Sequence, residues 1–258
     1  MTIKNLFDLS GRKAIITGGS RGLGLQIAEA LGEQGAHIVL AARKQNELDE
    51  AVAHLDKLGV KSYAMSVDLS KPELVTDFAK AAITKLGHVD ILINNAGAAW
   101  GAPAEDHPLD AWMKLINLNL TSVFLLTQTV GKLSMIPRNS GKIVTVASIA
   151  GLRGNPPGTN QTLAYNTTKG GLVNFTRALA GEWGKYNINV NAICPGFFPS
   201  KMTAATLDRV VDRVIAMSPL ARIGSDEDLK GIALLFASDA GRHITGQYMA
   251  VDGGVTAV

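Results

Sequence analysis

A tyrosine and a lysine stand four residues apart in this chain, at Tyr165 and Lys169. Residues with this spacing share one face of a helix, so the lysine charge is expected to favour ionisation of the phenol and prepare it for proton transfer. A further hydroxyl group, that of Ser148, lies seventeen residues before the tyrosine, directly after an apolar segment. This combination predicts an enzyme that uses general acid–base catalysis.

A glycine-rich turn near the front of the chain contains Gly18, Gly22 and Gly24 between a predicted strand and a predicted helix. Glycines at such a place let the backbone approach a pyrophosphate, and a helix N-terminus offers unpaired N–H groups with a partial positive charge. The spacing differs from the common G-x-G-x-x-G, and glycines also mark ordinary tight turns. The position of the turn nevertheless favours a nucleotide site.

Positive charges after the second predicted strand bear on the choice of dinucleotide. An acidic residue there would accept the ribose 2′-hydroxyl of NAD and repel a 2′-phosphate. The strand is followed instead by Arg43 and Lys44, and Arg21 lies in the glycine turn. These cations predict NADP(H) rather than NAD(H), although Arg43 and Lys44 could also simply begin a solvated helix.

Short apolar segments alternate with helical patterns along all 258 residues, without a linker or an internal repeat. This order indicates a parallel sheet with right-handed crossovers. We therefore expect one α/β domain over residues 1–258, with a Rossmann fold whose doubly wound, seven-stranded parallel sheet carries helices on both faces. The predicted strands are Lys13–Thr17, Ile38–Ala42, Ser62–Val67, Ile91–Asn94, Ile143–Ala147, Val190–Cys194 and Tyr248–Val251. The predicted helices are Leu23–Gln34, Gln45–Leu58, Pro72–Leu86, Leu109–Met135, Leu163–Tyr186 and Asp226–Ser238.

The composition argues against several other classes of protein. Charged residues make up 18% of the chain, and the net charge of +3 includes no basic run of the kind that nucleic acid or anionic lipid requires. No apolar segment is long enough to span a membrane, and the five histidines lack the spacing of metal ligands. The single cysteine, Cys194, fits a reducing compartment, for which the cytoplasm is the expectation. We expect a small-molecule substrate and no metal.

Three segments carry motifs: Thr17–Gly24 reads T-G-x-x-x-G-x-G, Asn94–Gly97 reads N-N-A-G, and Tyr165–Lys169 reads Y-x-x-x-K. In this order they resemble the short-chain dehydrogenase/reductase family, and the resemblance covers nearly the whole chain. Among its members, the bacterial NADPH-dependent ketoreductases are the most similar in pattern, such as the 3-oxoacyl-carrier-protein reductases and their sugar-acid and secondary-alcohol relatives. Further matches are Asp68, Asn119, Ser148, Pro195, Gly196, Asp252, Gly253 and Gly254.

The resemblance implies a nicotinamide cofactor and a catalytic tetrad of Asn119, Ser148, Tyr165 and Lys169. Tyr165 would donate a proton to a carbonyl oxygen that Ser148 also binds, Lys169 would contact the nicotinamide ribose, and Asn119 would hold a water. A homotetramer or homodimer is also implied, built from the two longest predicted helices. The implied cofactor-binding residues are Gly18, Ser20, Arg21, Gly22, Leu23, Gly24, Arg43, Asp68, Leu69, Asn95, Ala96, Gly97, Tyr165, Lys169, Pro195, Gly196, Phe198 and Ser200.

Two segments depart from the family pattern or suggest movement. The stretch between Ser148 and Tyr165 is longer than is usual in the family and contains the breaker cluster Pro156–Gly158, which is expected to border the substrate pocket. Ser200 replaces a frequent threonine and keeps a hydroxyl group. From Met202 to Met217 the pattern is that of an amphipathic helix, so residues 197–218 are a candidate substrate lid.

The residues favour an NADP(H)-dependent oxidoreductase that interconverts a ketone and a secondary alcohol. Two alternatives stay open at this point. One is an NAD-dependent sugar-acid or steroid alcohol dehydrogenase. The other is a dinucleotide-binding regulatory protein without turnover, although such a sensor would need the glycine turn but no proton donor.

Overall fold

The sheet contains seven parallel strands in the order β3-β2-β1-β4-β5-β6-β7. The structure is a computed structural model that describes residues 1–155, 161–199 and 204–258. Pro156–Gly158, Ser200 and Met202, which figured in the sequence predictions, therefore lie outside the described residues. The strands are β1 Lys13–Thr17, β2 His37–Ala42, β3 Ser62–Ser66, β4 Ile91–Asn94, β5 Gly141–Val146, β6 Ile188–Pro195 and β7 Tyr248–Val251.

The central strands are buried on both faces because helices cover the sheet from both sides. All four residues of β4 and all eight of β6 are buried, as expected of parallel strands that consist of near-continuous apolar segments. Ala14 of β1 pairs with Ile38 of β2 on one side and with Ile91 of β4 on the other. The sequence prediction of seven parallel strands is confirmed, with every strand boundary within two residues of the observed one.

Two buried apolar clusters lie on opposite faces of the sheet. One joins the helices Gly22–Glu33, Gln45–Lys57 and Lys230–Ala237 to the sheet, and the other joins Pro72–Leu86, Ser122–Val130 and the second half of Leu163–Trp183. A short N-terminal helix, α1, was not expected from the sequence. The helices are α1 Ile3–Phe7, α2 Gly22–Glu33, α3 Gln45–Lys57, α4 Pro72–Leu86, α5 Leu109–Ile116, α6 Ser122–Val130, α7 Ile136–Arg138, α8 Leu163–Trp183, α9 Ala204–Met217 and α10 Lys230–Ala237.

Two predicted helices differ from the observed ones. The helix predicted over Leu109–Met135 is interrupted by π-helical segments at Asn117–Thr121 and Gly131–Met135. The helix predicted from Asp226 begins only at Lys230, because the carboxylate of Asp228 accepts hydrogen bonds from Arg222 and from the N–H of Ser225 and holds the preceding residues in turns.

A buried carboxylate, that of Asp90, joins several elements at the edge of the sheet opposite to the carboxyl ends of the strands. It accepts hydrogen bonds from the backbone N–H of Lys13 at 2.8 Å and from Arg138 at 2.5 Å. Burial alone would raise the pKa of Asp90, but these bonds outweigh it and hold the pKa below its ordinary value of 3.8. The ionised form of Asp90 therefore stabilises the fold.

We expect Asp90→Asn to lower the free energy of unfolding at pH 7 by about 2 kcal/mol, because Arg138 and Lys13 lose a charged acceptor. A depressed carboxyl pKa stabilises above the unfolded-state value and ceases to do so as the pH falls through the folded-state value. The difference from wild type should therefore shrink below about pH 4. Urea unfolding of both proteins across this range measures it, with Asp77→Asn as an exposed control; equal midpoints at pH 7 would contradict the prediction.

Candidate active site

A cleft of about 940 Å³ lies at the carboxyl edge of the sheet, where the strand order reverses between β1 and β4. Ligands of open α/β sheets bind at such a switch point. Asp68 and Asn119 are not among the lining residues. The predicted site residues that line the cleft are Gly18, Ser20, Arg21, Gly22, Leu23, Gly24, Arg43, Leu69, Asn95, Ala96, Gly97, Ser148, Tyr165, Lys169, Pro195, Gly196 and Phe198.

The glycine turn connects β1 to α2 through backbone conformations that residues other than glycine rarely adopt. Gly18 and Gly22 have φ angles of +64° and +53°. A Cβ on Gly24 would collide with the carbonyl oxygen of Gly18 and the side-chain amide of Asn95, so only glycine lets α2 pack this close to the turn. Arg21 precedes the helix without a side-chain capping bond, so the free N–H groups of the first turn fit a pyrophosphate.

Thr17 and Asn95 tie the glycine turn to the segment after β4. The hydroxyl of Thr17 accepts hydrogen bonds from the backbone N–H groups of Asn95 and Ala96, each at 3.0 Å. In return, the amide of Asn95 donates to the carbonyls of Thr17 at 2.9 Å and Gly18 at 3.1 Å. These four bonds fix the two walls of the cleft relative to each other.

Two of the three cations predicted to bind a 2′-phosphate form ion pairs with a carboxylate. Arg21 and Lys44 both contact the same carboxylate oxygen of Glu47, at 2.7 and 3.2 Å. Glu47 also lines the cleft, and the sequence analysis missed it because it looked for an acid only at the end of β2. The available signal was its position in the first turn of α3, three residues after Lys44.

Asp68 has a local structural role beside the cleft. Its carboxylate accepts hydrogen bonds from the N–H and the hydroxyl of Ser70, at 3.1 and 2.7 Å. Burial opposes ionisation, but these bonds and the nearby charge of Arg43 hold the pKa of Asp68 below its ordinary value. Asp68 therefore shapes the turn that precedes α4, and its predicted contact with the cofactor stays a prediction.

Asn119 is fully buried within the first π-helical segment and lies behind the wall of the cleft. Its side chain accepts a hydrogen bond from the N–H of Ala98 and donates to the carbonyl of Ala98, both at 2.9 Å, and it also donates to Thr168 at 3.1 Å. Asparagine has a poor helix propensity, and this one lies where the helix predicted over Leu109–Met135 is interrupted. In the structure Asn119 joins the segment after β4 to α8.

Ser148, Tyr165 and Lys169 meet in the cleft, from two different elements. Ser148 lies two residues after the end of β5, and its side chain accepts a hydrogen bond from the N–H of Ala150 at 3.1 Å. Tyr165 lies in the first turn of α8 and lines the same cleft as Ser148. Lys169 lies one turn further along α8, with its ammonium 5.7 Å from the centre of the tyrosine ring. The ammonium donates to the carbonyl of Val146 at 2.7 Å.

The protonation of this cluster differs from the expectation based on the sequence. Burial raises the pKa of Tyr165 above its ordinary value of 10.0, and the nearby hydroxyl of Ser148 opposes this shift only in part. Burial also lowers the pKa of Lys169 to about 8. The expectation that the lysine charge makes the phenol more acidic is therefore wrong for this structure, because burial disfavours both charged forms. At neutral pH Tyr165 is a proton donor.

An aromatic cluster adjoins the cleft through Trp100, and its central member, His107, was not predicted as part of the site. Trp100 lines the cleft and contacts the ring of His107 edge-on, with centroids 5.1 Å apart; Trp112 contacts the same ring at 6.1 Å. The sequence analysis treated His107 only as one of five scattered histidines. Its position between two tryptophans depends on tertiary packing and leaves no signal in the sequence.

Within residues 1–155, 161–199 and 204–258, no group of three or more His, Cys, Asp or Glu side chains could hold a metal ion. No helix in this part of the chain is long and apolar enough to cross a membrane.

A nucleotide-type glycine turn and a Ser-Tyr-Lys cluster at one sheet edge define a dinucleotide-binding α/β enzyme. The family model described as enoyl-(acyl carrier protein) reductase matches residues 18–256. Gluconate 5-dehydrogenase of Gluconobacter oxydans is 35% identical over 99% of both chains. A 3-oxoacyl-(acyl-carrier-protein) reductase of Chlamydia muridarum is 36% identical over 96% of this chain and 98% of its own.

A crystal structure of gluconate 5-dehydrogenase from Burkholderia cenocepacia in complex with NADP and tartrate covers 100% of both chains with a TM-score of 0.93 and 31% identity. The chain belongs to the short-chain dehydrogenase/reductase family. It is an oxidoreductase that acts on CH–OH and C=O groups, which confirms the reaction class expected from the sequence.

The low pKa of Lys169 predicts an unusual dependence of stability on pH. Because the pKa of about 8 lies below the ordinary value of 10.5, the unfolded chain binds more protons between these values, and the wild-type protein gains stability as the pH rises through them. Lys169→Met removes this gain. We expect the free energy of unfolding of the wild type to rise by about 2 kcal/mol relative to the variant between pH 8 and pH 10.

Urea unfolding at several pH values measures this difference. Lys80→Met, at an exposed lysine on α4, is the control and should follow the wild-type curve. Parallel curves for the wild type and Lys169→Met would show that burial does not penalise the charged lysine.

Proposed function

We propose that this protein uses NADP(H) to interconvert a ketone and a secondary alcohol, with Tyr165 as the general acid and base. One observation carries the proposal: Ser148 and Tyr165 line the same cleft as the glycine turn. A proton donor and a nucleotide cradle in one cleft are what hydride transfer to a carbonyl requires.

NADP(H) is favoured over NAD(H) by the charges at one end of the cleft. Arg21, Arg43 and Lys44 line it there, and guanidinium groups suit a phosphate. A relative that covers the whole chain was crystallised in complex with NADP. The proposed cofactor-binding residues are those predicted from the sequence, of which Ser200 lies outside the described residues and Asp68 supports the site from behind.

The residues of the chain would supply everything in the reaction except the hydride, which the nicotinamide supplies when bound. Tyr165 would donate its hydroxyl proton to the carbonyl oxygen, and Ser148 would hydrogen-bond the same oxygen and orient it. The ammonium of Lys169, held by the carbonyl of Val146, lies beneath the tyrosine ring and faces the cleft. Asn119 would act as a positioning residue, since it fixes the backbone of Ala98 to α8.

The raised pKa of Tyr165 favours reduction at neutral pH. A protonated phenol is ready to donate to a carbonyl, whereas oxidation of an alcohol requires the phenolate. Oxidation should therefore become faster as the pH rises, while reduction should not need alkaline conditions.

The substrate is proposed to be a small or medium-sized ketone with an apolar portion. Trp100 and Phe198 line the cleft together with Pro199, and such side chains favour apolar contact. Two relatives are named for gluconate and for a 3-oxoacyl group. A first panel would contain gluconate with NADP⁺ and a short 3-oxoacyl thioester with NADPH.

The lid and the extent of the domain are further parts of this proposal. We propose that residues 1–258 form one domain and that residues of about 197–218 form a substrate lid. The proposed lid is supported by the position of α9 in the chain, since this helix begins a few residues after Phe198 and Pro199, which line the cleft. The reaction is proposed to take place in the cytoplasm, because the lone Cys194 is buried and unpaired, as is usual in a reducing compartment.

Tyr165→Phe should reduce kcat/KM for the best ketone by about 10²- to 10⁴-fold, because the proton donor is lost. Binding of NADPH, followed by its fluorescence, should change little, since the ring remains. Tyr63→Phe, on β3 and away from the cleft lining, is the matched control. Full turnover in Tyr165→Phe would refute the assigned role, and NADPH binding without turnover in the wild type would favour the regulatory alternative.

A homo-oligomer, either a dimer or a tetramer, is proposed to form through the outer face of α5, α6 and α8. Large apolar side chains are exposed on these helices and on the π-helical segment Gly131–Met135 that follows α6, which is unusual for a surface that faces water alone. The predicted stretches Leu109–Met135 and Leu163–Tyr186 contain them. The exposed residues are Leu109, Met113, Phe124, Leu133 and Leu163.

Phe124→Glu should weaken self-association by about tenfold or more, because a charge would be buried between the subunits. Sedimentation velocity over a range of concentrations measures the change. Leu58→Glu replaces an equally exposed apolar residue, 46% exposed in both cases, at the end of α3. Identical sedimentation of the wild type and both variants would place the interface elsewhere or exclude it.

A further inference from the structure

The cationic end of the cleft contains a carboxylate that a phosphate-binding site does not need. Glu47 contacts Arg21 and Lys44 through one oxygen, at 2.7 and 3.2 Å. The Glu47 side chain is 19% exposed, whereas those of Arg21 and Lys44 are 49% and 57% exposed. The acid is therefore the better-fixed member of the group, and all three residues line the cleft.

A carboxylate in this position acts against a ribose 2′-phosphate in two ways. It repels the phosphate charge directly, and it occupies two of the donors that would otherwise bind the phosphate. For a ribose with a free 2′-hydroxyl the effect is reversed, because a carboxylate accepts a hydrogen bond from that hydroxyl. The charge of Glu47 thus disfavours the dinucleotide with a 2′-phosphate, NADP(H), relative to the one with a 2′-hydroxyl, NAD(H).

We propose that Glu47 sets the selectivity between NADP(H) and NAD(H) by lowering the affinity of the cationic cluster for a 2′-phosphate. This inference rests on the proposed function, since it assumes that a dinucleotide occupies the cleft. Arg21, Arg43 and Lys44 attract the phosphate, and Glu47 offsets part of that attraction. The same carboxylate gives the site an acceptor for the ribose hydroxyl of NAD(H), so the preference for NADP(H) is smaller than the three cations alone would give.

An opposite effect would follow if Glu47 mainly held Arg21 and Lys44 in position. Its removal would then loosen the cations and weaken phosphate binding. The two effects differ in sign, so one substitution separates them. The high exposure of both cations argues for charge compensation, because exposed arginine and lysine side chains reach a ligand without being fixed in advance.

The test is calorimetric titration with two fragments, adenosine 2′,5′-bisphosphate and AMP, which differ by the 2′-phosphate alone. Glu47→Gln keeps the size of the side chain and removes its charge. We expect it to bind the bisphosphate about fivefold more tightly than the wild type at low salt, and AMP no more tightly. In high salt the gain should shrink, because screening weakens the repulsion.

Two further variants complete the design. Asp49→Asn removes a carboxylate from the same helix that bonds Gln45 instead, so it should leave both affinities unchanged. Glu47→Ala, checked by its melting temperature, should reproduce the gain if Glu47→Gln does not fold. Unchanged or weaker bisphosphate binding in a folded Glu47 variant would overturn the inference while leaving the proposed function intact. A wild type that binds neither fragment would overturn both.

Discussion

The hydrogen bonds that join Thr17 and Asn95 are the constraint on which the cleft depends. They connect the end of β1 to the end of β4 at the place where the order of strands reverses. Without them the glycine turn and the segment after β4 would be two independent loops, and loops are the most mobile parts of such folds. The threonine hydroxyl is 2% exposed, so its bonds act in a setting where water cannot replace them.

Burial is the second determinant of the site. It keeps Tyr165 protonated and lowers the pKa of Lys169 to about 8, so at pH 7 a neutral phenol lies beside a lysine that is still mostly charged. The sequence suggests that the charge of Lys169 makes the phenol of Tyr165 more acidic. In the structure, removal of both side chains from water has the larger effect on their pKa values. Removal of water from around these groups strengthens the electrostatic interactions between them.

Much of the fold could be predicted from the sequence, because each strand is a short β-branched segment between helical patterns. The glycine turn and Tyr165–Lys169 were found for the same reason: their signals are local. Three features were missed because tertiary contacts produce them. Glu47 meets Arg21 only across the turn, His107 is placed by two tryptophans, and the late start of α10 depends on the pair Arg222–Asp228. The position of Glu47 three residues after Lys44 was a local signal for one of them, whereas the contacts of the other two form only in the folded chain.

The bonds of Asn119 have a consequence for the order in which the protein becomes competent during synthesis. This side chain holds Ala98 on one side and Thr168 on the other, so the wall behind the glycine turn is complete only when α8 has emerged from the ribosome. Domains generally fold as units as the chain is made. A nascent chain that ends before α8 would therefore display the glycine turn without a finished cleft, and premature capture of nucleotide would be weak.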